Sequence, residues 1–73
     1  MTSDEDCGEA AYAAMYRAQP SRVKDLYEDA RLHFRKAITE AEQSGQSGEA
    51  ARLTARLEHI TNVFNHQFRG IGY

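Results

Sequence analysis

Two apolar stripes at helical spacing, separated by a glycine-containing break, constrain this chain more than any other feature. Val23, Tyr27, Ala30, Phe34, Ile38 and Ala41 recur in steps of three or four, as do Leu53, Leu57, Ile60, Phe64 and Phe68. Between them lies Ser44-Gly45-Gln46-Ser47-Gly48. A strand with one buried face alternates with a period of two, and neither stripe does. Both segments are therefore expected to be helices, and the break is expected to fold one back on the other as an antiparallel hairpin.

The pattern predicts a single all-α domain: a polar start over 1–6, a short helix over 7–18, a helix over 21–43, a turn over 44–48, a second long helix over 49–68 and a tail over 69–73. The first helix is alanine-rich, with Cys7, Ala11, Ala14, Met15 and Ala18 on one side, a shallow face that leaves it marginal alone. Thr2, Ser3 and Asp4 each suit its N-terminus, and the acidic residues that follow suit its positive end. Pro20 stops that segment by disfavouring helical geometry at Gln19 and fits the first turn of the next helix, where Ser21 offers a cap. Ser47 is expected to cap the last helix, with Glu49 in its first turn. Along the middle helix Lys24 with Glu28, Glu28 with Arg31 and Lys36 with Glu40 stand at ion-pair spacing, worth only about 0.2–0.5 kcal/mol each.

Size argues for outside help. A chain of 73 residues buries only roughly 60% of its unfolded surface, which leaves little stability in hand. Cys7 is the only cysteine, so neither an intrachain disulfide nor a thiolate zinc cluster is possible within one chain. Oligomerisation remains, and the stripes supply a reason for it: each is wider than one seam, with Leu26 to the side of Phe34, Val63 to the side of Phe64, and Leu32 almost opposite the core. The hairpin is thus expected to pair with a second copy as a four-helix bundle, through Leu26, Leu32, Leu53, Ile60 and Val63. The competing possibilities are that the short N-terminal helix covers the surplus, or that these are scattered surface hydrophobes.

Nine Lys and Arg against 11 Asp and Glu give a formal charge of -2, which provides no global field for nucleic acid or an acidic membrane. The chain has no apolar run approaching the ~20 residues of a membrane span. Its acidic start, Met1-Thr2-Ser3-Asp4-Glu5-Asp6, is unlike a signal peptide. A cytoplasmic protein is expected.

Candidate sites are few. His59 and His66 fall on the outward side of the last helix near Arg52, Asn62 and Arg69, a stripe that suits an anion, although a solvated polar face is the ordinary explanation. His33 with Glu58 suggests a salt bridge more than a metal site. Cys7 is expected to serve as a small packing residue, and Tyr12 and Tyr16, one turn apart, as packing or a recognition surface. No nucleophile stands beside a base, and the glycine-containing break lacks the lysine of a phosphate loop. No catalytic residue, cofactor or metal is implied.

The stretch Tyr27-Glu28-Asp29-Ala30-Arg31-Leu32-His33-Phe34-Arg35-Lys36-Ala37-Ile38 resembles one helix of a tetratricopeptide-type repeat. The small-residue positions of that repeat do not recur downstream and both long helices exceed its unit, so no function is carried over. The expected function is a non-enzymatic protein-interaction module, a homodimer that docks another protein as adaptor, assembly factor or regulator. The alternative is an anion- or nucleic-acid-binding module using Arg52, His59, His66 and Arg69.

Overall fold

A computed structural model describes residues 3–68, and they are helical almost throughout: α1 (Asp4–Met15), α2 (Pro20–Gln43) and α3 (Ser47–Val63), which continues as a wider π-helical turn, Phe64–Phe68. The protein is all-α, with no strand among the described residues. The tail residues Arg69, Gly70, Ile71, Gly72 and Tyr73 lie outside the described residues.

Local chemistry sets each boundary. Helix α1 starts at Asp4, three residues ahead of the alanine-rich segment, because Ser3 adopts extended geometry and its Oγ accepts the Asp6 N–H at 3.1 Å. Asp4, Glu5 and Asp6 then occupy the first turn, where carboxylates offset the exposed N–H groups. It ends at Met15, short of Ala18. Gln19 precedes α2 in extended geometry with Pro20 as the first helical residue, and no side chain caps this end, so Ser21 does not act as expected. Nor does Ser47: it is the first helical residue of α3, behind Gln46, and again no side-chain cap forms.

The break is tighter than its composition suggests. The Gln46 N–H donates to the Ala41 carbonyl at 2.8 Å and the Gly45 N–H to the Glu42 carbonyl at 3.1 Å, the paired bonds of a Schellman end, with Gly45 at φ 73°. A side chain at Gly45 would meet no atom within 4 Å, so its only cost is backbone conformation. Gly45→Ala should therefore lower stability by about 1 kcal/mol. Gly48 is helical and equally open, so Gly48→Ala should raise stability by up to about 1 kcal/mol. Denaturant midpoints of the two variants, moving in opposite directions, check both.

Helices α2 and α3 run in opposite directions, with the Tyr27 and Thr61 hydroxyls 3.1 Å apart and the Tyr27 ring stacked on Phe64 at 4.2 Å. Between them sits the core of Phe34, Leu53 and Ile60, with Tyr12, Tyr27, Ala37, Ile38 and Leu57 packed around it. Helix α1 lies antiparallel to α2 and in the same direction as α3: Asp4 reaches His33, Gly8 faces Ala30 and Phe34, and Glu5 and Glu9 reach Arg52 and Arg56. Its small side chains allow the close approach. Gly8, Ala11 and Met15 are buried, and Met15 is among the most enclosed side chains in the molecule.

That position of α1 accounts for much of the apolar surplus. Leu26, Ala30, His33 and Ala37 repeat along one side of α2 at helical spacing, and Asp4 and Gly8 of α1 dock on that same side. Leu26 and Val63 are half-buried. Leu53, at 3% exposure, and Ile60, at 0%, are consumed by the chain's own core, which corrects their assignment to an intermolecular contact. Of the five positions expected at an interface only Leu32 is well exposed, at 53%.

Candidate functional site

Two faces of the bundle carry organised side chains. On the first, arginines of α3 bridge to carboxylates of α1. The Arg52 guanidinium donates to both Glu5 oxygens at 3.0 and 2.8 Å and, through Nε, to Glu49 at 3.0 Å. One turn along, Arg56 donates to both Glu9 oxygens at 2.7 and 2.9 Å, with its guanidinium carbon 5.2 Å from the centre of the Tyr12 ring. The Tyr12 and Tyr16 hydroxyls lie 2.9 Å apart, and the Tyr16 ring meets Phe68 edge-on at 5.1 Å. The result is a strap of ions and aromatic rings joining the first and last helices.

Electrostatics follow that geometry. The hydrogen bonds from Arg52 hold the Glu5 carboxyl below its usual value, against a smaller opposing effect of burial. The Tyr16 hydroxyl, then burial, raises Tyr12. Glu5 and Glu49 raise Arg52, and Glu9 raises Arg56. A carboxyl whose pKa is depressed by folding stabilises the fold above its unfolded value near 4.5, and that contribution disappears as pH falls through the lower folded value. Between pH 5 and pH 3 the protein should thus lose stability at this pair, and Glu5→Gln should remove that part of the slope. The pair is largely open to solvent, so the part of the slope that it contributes is small. Denaturant titrations of both proteins at the two pH values measure it.

The outward stripe of α3 is met at Arg52 by carboxylates of the chain itself. Arg52 is turned to two carboxylates, so its charge is already compensated within the chain. His59 and His66 are exposed, and Arg69 lies outside the described residues. His33 does not meet Glu58: its Nδ1 lies 3.0 Å from Asp4 and its Nε2 3.6 Å from Asp29, on the α1 side of α2. Among the described residues no cluster of three or more His, Cys, Asp or Glu is placed to hold a metal ion. Cys7 is a half-buried free thiol. Of the three ion pairs expected along α2, the one formed is Glu28 with Arg31, at 3.9 Å. No described helix is long and apolar enough to cross a membrane.

The second face is a groove between α2 and α3. Its two open stretches, of about 560 and 480 Å³, share Thr54 and Glu58 and together follow α3 from Ser47 to Asn62. Small residues of α3, Ala50, Ala51, Thr54 and Ala55, line the end nearest the turn, where α2 contributes Glu42. Tyr27 and Leu57, both half-buried, line the other end, flanked by Arg31 and Arg35 on α2 and by Glu58 on α3. Sequence reasoning followed the stripes toward Leu26 and Val63 and missed this flank. The signal was present, since Arg31, Arg35 and Ile38 recur at helical spacing on the other side of Phe34. No family model, curated protein or solved structure matches the chain.

Proposed function

We propose that the chain is a non-enzymatic protein-interaction module, an adaptor, assembly factor or regulator, whose α2–α3 hairpin pairs with that of a second copy as an antiparallel four-helix bundle. The observation that supports this is the long open groove between α2 and α3, lined by small side chains at one end and by Tyr27 and Leu57 at the other. A groove between two antiparallel helices has the shape that another helix fills by ridge-into-groove packing, and alanine along one wall permits close approach. Side chains left half in water, as Tyr27 and Leu57 are, gain burial when such a helix arrives, at about 25 cal/mol per Å² of apolar surface removed from water.

Sedimentation equilibrium tests the proposal. The measured mass should rise with concentration from 8.3 kDa toward twice that value. A mass fixed at that of one chain up to millimolar concentration overturns self-association.

A further inference from the structure

We infer that the groove seats a second copy about a twofold axis parallel to the helices, with Arg31 and Arg35 of each copy facing Glu58 of the other. This inference rests on the proposed self-association and adds its face, symmetry and charge pattern.

Three observations carry it. The first is register. The contact between the Tyr27 and Thr61 hydroxyls aligns the two helices, so one turn further along each, Arg31 lies level with Leu57 and next to the level of Glu58. The second is charge. The α2 wall of the groove presents Arg31 and Arg35 along its middle and Glu42 at the turn end, the α3 wall presents Glu58, and all four are exposed. Among the described residues neither Arg35 nor Glu58 has an ion-pair partner within 4 Å, and Arg31 has only the exposed Glu28 at 3.9 Å.

The third is the consequence of the symmetry operator. A twofold axis along the helices leaves every residue at its own height and sets α2 of one copy opposite α3 of the other, antiparallel to it. Arg31 of each copy then stands near the level of Glu58 of the other, with Arg35 one turn further along, and this contact occurs twice. An axis perpendicular to the helices in the plane of the groove would instead place each α2 against its own copy, bringing arginines together. The opposite charges in this arrangement favour one orientation over its alternatives.

The test uses two variants of the full chain, Glu58→Arg, which makes both walls basic, and Arg31→Glu/Arg35→Glu, which makes both acidic. Each alone should weaken dimerisation at least about tenfold, because like charges meet at both symmetry-related contacts. Mixed in equal amounts, the two should form a heterodimer close to wild-type affinity. Sedimentation with one variant fluorescently labelled distinguishes the heterodimer, and circular dichroism of each variant checks that helicity is retained. If each variant dimerises as well as the wild type, this face is wrong while self-association stands. If the wild type is itself monomeric, both fall. As a probe without charge, Ala51→Trp should block the dimer and leave the helicity of the monomer unchanged, and undiminished dimerisation of that variant also overturns the inference.

Discussion

Phe34→Ala is expected to cost about 3–5 kcal/mol, the largest effect of any single truncation in the chain. The ring is fully enclosed, at 0% exposure, and stands where all three helices meet: it packs with Leu53 and Ile60 of α3 and lies directly under Gly8 of α1. At roughly 0.05–0.15 kcal/mol per residue, a chain of 73 residues has about 4–11 kcal/mol in total, so this loss removes a large part of it. The melting temperature should fall by about 12–40 °C, taking roughly 4–8 °C per kcal/mol for a domain of this size. Amides of α1 should exchange faster than those of α3, because α1 has few large side chains of its own with which to hold its place. Leu32→Ala, at a position that is 53% exposed, provides the contrast and should change stability by no more than about 0.5 kcal/mol. Thermal melts of the two variants decide the matter, and a Phe34→Ala loss below about 1 kcal/mol would mean that the ring is not the centre of the core.

The middle and last helices were legible because burial on a helix leaves a periodic trace. Val23, Ala30, Phe34 and Ala41 of the first stripe and Leu53 and Ile60 of the second are buried, and of these two helices only Ala50 is buried outside a stripe. What α1 would do was not legible. Its face of Gly8, Ala11 and Met15 carries little apolar mass, and its docking depends on shape, an absent side chain at Gly8 beneath a ring at Phe34. Hydrophobic counting registers what a residue brings and is blind to the space that it leaves. The same blindness put Leu53 and Ile60 at an intermolecular contact, since two stripes judged without α1 seem wider than one seam.

The candidate site shows a related limit. The carboxylates of the first turn of α1 read as dipole partners, and they are, but Asp4 and Glu5 are also fixed by His33 and Arg52, residues 29 and 47 positions away. Pairings at that separation have no signature in local spacing. They redirect Arg52 from an outward basic stripe to an internal strap, which removes a permanent charge from the anion-binding reading. The groove between α2 and α3 was within reach of a helical wheel, because Arg31, Arg35 and Ile38 share one flank of α2. It escaped notice because alanine and threonine on α3 look like spacers until a neighbouring helix makes them one wall of a groove.

Gly8→Ala should destabilise the protein even though alanine is the better helix former. In an open helical position the exchange gains about 1 kcal/mol. At Gly8 a Cβ would stand 2.6 Å from Cδ2 and 2.7 Å from Cε2 of Phe34, far inside van der Waals contact, and 3.4 Å from the Ala30 carbonyl oxygen. The enclosed ring has nowhere to retreat, so α1 must lift away, and overpacking of this kind costs about 1–3 kcal/mol before the larger losses of a displaced helix. The sign of the effect belongs to the pair of residues. Phe34→Leu costs stability on its own but replaces the ring with a shorter side chain, and in that background Gly8→Ala should become neutral or stabilising. A double-mutant cycle by urea denaturation should give a coupling of about 0.5–3 kcal/mol, in the direction of mutual relief. If Gly8→Ala stabilises the wild-type chain as Gly48→Ala should, α1 does not approach α2 closely enough to need glycine there. Its seat over the core, and with it the strap from Glu5 and Glu9 to α3, would have to be abandoned.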